Sequence, residues 1–96
     1  MKLAARMRRE ELGPGAPIIS EGEPGERFYV VLSGLLSVTQ EERGFRGILK
    51  PGEYFGEVAL AMGMPRTASV SPMTAVTLAS CDRETFDEFV RPLFAD

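Results

Sequence analysis

The chain contains no histidine, the side chain that most often holds a catalytic metal, and so the metal chemistry of small β-fold enzymes lacks its usual ligand here. It has one cysteine, Cys81. No internal disulfide is possible, a reducing intracellular compartment suits the chain, and Cys81 reads as a small core residue. No run of about 18 apolar residues exists, and the opening KLAARMRREE offers no hydrophobic signal segment. A cytoplasmic protein without membrane contact is expected. Basic charge is also scarce, with a formal net charge of −3. The one basic cluster, Lys2, Arg6, Arg8 and Arg9, is followed at once by Glu10 and Glu11. It reads as a solvated helix face, not a nucleic-acid contact. A P-loop, a nucleophile elbow and an HExxH pattern are all missing, so no enzyme activity is expected.

What is present is ordinary globular material, 96 residues with 44% apolar and 26% charged. This length allows one domain, residues 1–96, burying about 60–70% of the surface that its unfolded chain exposes. Because the chain starts inside an apparent helix and stops soon after another, it is expected to be part of a larger multidomain protein.

Lys2 to Leu12 is rich in helix formers until Gly13-Pro14-Gly15 stops the run, predicting a short helix. Pro17 to Ser20 reads as a strand between turns. Arg27 to Ser33 is the strongest strand, with Phe28, Val30 and Leu32 on one face and Tyr29 and Val31 on the other, as in a strand buried on both sides. Leu36 to Gln40 and Phe45 to Leu49 continue as an apparent antiparallel meander. Thr67 to Ser71 and Thr74 to Ser80 supply further strands around Pro72, with Ala68, Val70, Val76 and Leu78 facing inward. Many short strands with Gly/Pro turns predict a mainly β, jelly-roll barrel with flanking short helices. Asp82 is placed to cap a final helix with an apolar stripe of Phe86, Phe89, Val90 and Leu93. Pro92 predicts that this helix ends or bends near Arg91.

The chemistry concentrates in FGEVALAMGMPRTASV, Phe55 to Val70. Gly56 leads into one helical turn, Glu57 to Ala61, whose first backbone N–H groups have no partner within the helix. A phosphate there gains hydrogen bonds and a favourable dipole, and glycine allows close approach. Gly63 and Pro65 return the chain so that the planar fork of Arg66 reaches the same point. Thr67 adds a hydroxyl, and Ala68 leaves room. A carboxylate beside an anion site points to a ligand that also brings a donor, such as a sugar hydroxyl. Glu57 therefore suggests a ribose-phosphate. The bland alternative is that Glu57 sits at a helix start on dipole grounds alone, with Arg66 paired to it on the surface, and with Val58 and Leu60 as core.

This stretch closely resembles the phosphate-binding cassette of cyclic nucleotide-binding domains, in the form F-G-E-x-A-L…G-x-P-R-x-A-x-V found in regulatory subunits of cAMP-dependent kinase and in cGMP-dependent kinase. Glu23 to Val31, Leu49 to Tyr54 and Asp82 to Phe86 resemble the family's segments before and after it, so the likeness covers nearly the whole chain. The resemblance implies a jelly-roll barrel flanked by helices. It also implies that Glu57 binds the ribose 2′-hydroxyl, that Arg66 binds the exocyclic phosphate oxygen, and that backbone groups at Gly56, Ala59 and Thr67 or Ala68 complete the cradle. Val58 matches a bulky position that couples the cassette to moving helices. Thr67 stands where kinase regulatory subunits carry alanine, and a threonine there holds a syn guanine, favouring cGMP without excluding cAMP. The C-terminal lid helix usual in the family is expected to lie outside these 96 residues, supplied by the parent chain or dispensed with.

The expected function is therefore regulatory binding of a cyclic purine nucleotide, cGMP ahead of cAMP, with no other cofactor and no metal. Its partner would be an effector domain in the parent chain or an associated effector, foremost a protein kinase. Two rivals remain at this point: a degenerate domain acting only as an interaction module, and the sensor half of a bacterial transcription regulator. A cupin-type enzyme is disfavoured by the lack of histidine.

Overall fold

A computed structural model describes residues 5–94. Strands β1 (Arg8–Leu12), β7 (Val76–Asp82), β2 (Arg27–Ser33) and β5 (Tyr54–Phe55) pair in that order in one antiparallel sheet. Strands β4 (Gly44–Leu49), β3 (Leu36–Gln40) and β6 (Ser69–Pro72) form the other. Helix α1 (Glu57–Met62) lies between β5 and β6. After β7 the chain runs through α2 (Arg83–Thr85), a π-helical turn Phe86–Val90 and α3 (Arg91–Phe94). The fold is mainly β, two antiparallel sheets with short flanking helices, as the strand pattern predicts.

The period-2 alternation of β2 organises two cores. Tyr29 and Val31 enter the space between the sheets with Leu36, Phe55, Val70, Val76 and Leu78. Phe28, on the opposite face, packs with Leu60, Cys81, Phe86 and Val90, and partly buried Val30 on the same face joins them. A strand covered by a sheet on one side and helices on the other needs apolar residues on both faces, which is what Phe28 to Leu32, between Arg27 and Ser33, supplies. Leu32 departs from this pattern and is exposed, because the register shifts between Val31 and Ser33 and turns it outward.

Several sequence expectations are corrected. Lys2 to Ala4 lie outside the described residues; Ala5 and Arg6 are helical, but Arg8–Leu12 is strand β1. The reason is tertiary, since pairing with β7 overrides helix propensity. Pro17 to Ser20 is not a strand and makes only an isolated bridge, Ile19 to Val70. Strands β2 and β3 belong to different sheets, so only β3 and β4 form the expected meander. Gly34, at φ 87°, sits at the corner between the sheets, and a Cβ there would meet Ala75 O at 2.3 Å. Of the two outcomes expected near Arg91, an end or a bend, the helical segment does not end but changes geometry, widening into the π-helical turn and then running on to Phe94. One extra residue in a turn rotates the subsequent residues by about 100°, and Leu93 is 77% exposed instead of completing the apolar stripe. Asp82 does cap this segment, accepting from Thr85 N–H at 2.9 Å.

Candidate functional site

Strand β5 anchors the start of the cassette. Phe55 pairs with Tyr29 across the sheet, and their rings stack at 4.8 Å. Gly56 then turns the chain at φ 95°, a left-handed conformation that opens α1. Gly63, at φ 65°, closes the helix by donating to Ala59 O. Residue 66 is next fixed against the turn 22–25, with Arg66 N–H donating to Glu23 O and Gly22 N–H donating to Arg66 O, both at 2.8 Å. This approach leaves no space for a side chain at position 25. A Cβ on Gly25 would lie 2.3 Å from the Ala59 Cβ and 3.0 Å from the Arg66 guanidinium carbon.

The Arg66 side chain is buried. Its Nη1 donates to Gly56 O at 3.0 Å and its Nη2 to Arg27 O at 2.9 Å. Both acceptors are neutral carbonyls, and among the described residues no carboxylate forms an ion pair with it. Burial pushes the Arg66 guanidinium below its ordinary value, opposed by Tyr29 and by Glu57. The surface Arg66–Glu57 ion pair, the bland alternative, is not what forms. A desolvated cation that lacks a bonded counter-charge favours an anion beside it.

A cavity of about 180 Å³ opens at this point. All seven residues singled out from the sequence, Gly56, Glu57, Val58, Ala59, Arg66, Thr67 and Ala68, line it, with Leu49, Val38 and Tyr54 on its other walls. Gln40 Nε2 donates to Thr67 O at 2.9 Å and holds the far wall to β3. Val58 does not occupy the coupling place expected of it. It is exposed, and Leu60, buried with Phe86 and Val90, packs on the C-terminal helical segment together with partly buried Ala61. With 3.6 residues per turn, Val58 and Leu60 point about 200° apart, so only one of them can face those helices.

Residues 9–92 match the family model for the cyclic nucleotide-binding domain. The chain belongs to that family. It is 40% identical over 93 residues to a cAMP-dependent protein kinase regulatory subunit of Yarrowia lipolytica, covering 96% of this chain and 25% of the relative. Among solved structures, the regulatory domain of Toxoplasma gondii PKA with cAMP superposes with a TM-score of 0.86 at 32% identity, covering 92% of this chain and 35% of that one. The regulatory subunit of a cAMP-independent protein kinase A from Trypanosoma brucei superposes at 0.90 with 28% identity, covering 96% and 34%. The chain thus spans about a quarter to a third of the length of these relatives.

Two contributors to this cavity are not evident from residue type. Gly25 gives the space that Arg66 occupies, and Arg27 acts through its backbone carbonyl. Only Gly25 left a signal, a glycine following Pro24 in a turn. A carbonyl acceptor leaves none, because every residue has one.

Proposed function

We propose that this domain binds a cyclic purine nucleotide through its phosphate and ribose, and that occupancy regulates a protein kinase in the parent chain or associated with it. The observation that carries this reading is Arg66, buried at the cavity with, among the described residues, only neutral carbonyls as partners of its side chain. A phosphate oxygen would supply the missing charge. Glu57, also lining the cavity, would take the ribose 2′-hydroxyl, and the backbone at Gly56, Ala59 and Thr67 or Ala68 would complete the cradle. The cavity is smaller than the roughly 300–1,000 Å³ of pockets that enclose a whole drug-sized ligand. The base would therefore lie towards the rim, near exposed Val58 and Thr67.

Thr67 is the residue on which a preference for cGMP would rest, while cAMP is named for the Yarrowia and Toxoplasma relatives. Calorimetric titration of the 96-residue chain with cAMP and with cGMP tests the proposal, and micromolar or tighter binding of either is expected. Binding of neither would favour a second reading, an interaction module without ligand; a regulatory subunit of a protein kinase described as cAMP-independent shares the fold.

A further inference from the structure

The last carbonyls of α1 are held from outside the helix. Its last turn contains no basic residue, yet Arg91, thirty residues along the chain, donates from Nη2 to Leu60 O at 2.8 Å and from Nη1 to Ala61 O at 3.0 Å. Arg91 Nε is itself steadied by Asp87 Oδ1 at 2.9 Å, and the guanidinium lies 5.7 Å from the centre of the Phe86 ring. Arg83, from α2, adds Nη2 to Gly25 O at 3.0 Å, so the same helical segment also touches the turn that packs on Arg66.

Local sequence sets how Arg91 is presented. Pro92 has no N–H, and in a regular α-helix its ring would press on the carbonyl of Glu88. The chain widens instead, and Arg91 N–H bonds to Phe86 O five residues back. That extra residue turns Arg91 by about 100° relative to a regular helix, on to the side where α1 ends. A cation at the carbonyl end of α1 favours that helix electrostatically. The opposite end of α1 begins at Gly56 and Glu57, on the cavity.

We infer that Arg91 is a positioning residue of the nucleotide site, acting at the far end of α1 to hold Gly56, Glu57 and Ala59 where Arg66 can share one ligand with them. Its readout rests on the nucleotide function proposed above. Ligand that needs α1 in this place binds more weakly when the clamp is gone, because the helix must then be ordered during binding.

The test compares Arg91→Met, Arg91→Lys and the exposed neighbour Leu93→Ser by calorimetric titration with cAMP and cGMP. Hydrogen exchange of residues 57–62 is measured alongside without nucleotide, at a temperature where circular dichroism shows each variant folded. Arg91→Met should weaken binding roughly tenfold, the scale of a lost charge-assisted pair at a half-exposed site, and should speed exchange in α1. Arg91→Lys, still able to donate to one carbonyl, should recover part of both effects, and Leu93→Ser should change neither. Faster exchange or a lower Tm with wild-type affinity makes Arg91 a structural brace and overturns the inference. Wild-type affinity together with wild-type exchange overturns it outright. If the unaltered chain binds neither nucleotide, the proposed function fails, and α1 exchange in Arg91→Met alone decides whether the clamp positions the helix.

Discussion

Arg66 and Gly56 are joined at 3.0 Å from guanidinium to carbonyl, across ten residues of chain that include the whole of α1. The return of the chain to its own starting point makes one site from both ends of the cassette. Glycine is required at that junction, since a Cβ on Gly56 would lie 2.8 Å from Arg27 O and 3.0 Å from Arg66 Nη1.

Arg66→Ala should lower nucleotide affinity by about 2–5 kcal/mol, the range for removing one partner of a buried charged pair. Arg66→Lys should fall between, keeping the charge but losing the fork that reaches Gly56 O and Arg27 O together. Calorimetric titration of both variants measures this, and a loss below about tenfold for the alanine, about 1.4 kcal/mol, would place the phosphate elsewhere.

Thr67→Ala should reduce cGMP affinity by about 0.5–1.5 kcal/mol, the net value of one hydrogen bond, and leave cAMP affinity unchanged. Thr67 is exposed at the cavity, so a stability change is not expected to obscure the result. Competition between the two nucleotides on both proteins reads it directly, and an equal effect on each would remove Thr67 from base selection.

Gly25→Ala should destabilise the fold by about 1–3 kcal/mol through overpacking, because its new methyl meets the Ala59 Cβ and the Arg66 guanidinium. Nucleotide affinity should fall with it, as Arg66 is displaced. Urea midpoints give the first effect and titration gives the second. A variant as stable as the parent would mean that the turn 22–25 yields readily.

Asp82 gives a pH signature. Hydrogen bonds from the Thr85 backbone N–H and side chain hold its carboxyl below the usual carboxylate range. The folded value is the lower one, so the stabilisation is present above the unfolded value and is lost as pH falls through the folded one. Asp82→Ala should be less stable than the parent at neutral pH, and the difference should shrink towards about pH 3. Denaturant midpoints across that range check it, and a difference independent of pH would assign the cap to shape alone.

The clearest legible element is β2, because a strand covered on both faces must be apolar at every position and Phe28 to Val31 is. The cassette is nearly as plain, since Gly56, Gly63 and Arg66 have roles that few other residue types can fill. Strand β1 was illegible for the opposite reason. Arg8 to Leu12 prefers helix, and only the open edge of β7 makes it a strand. The exchange of roles between Val58 and Leu60 was hidden as well, because both are aliphatic and only the packing of Phe86 and Val90 separates them.

By itself, the sequence determined most of the strands and turns through periodicity and the conformational freedom of glycine, and it singled out Gly56, Glu57, Arg66, Thr67 and Ala68 at the cavity through local chemistry, with Val58 and Ala59 added by the family resemblance. Tertiary structure alone decided which neutral carbonyls receive Arg66, which face of α1 meets the helices, and that Arg91 closes its end. Those choices belong to pairs of groups ten to about forty residues apart, and no local pattern records a backbone acceptor that every residue could provide.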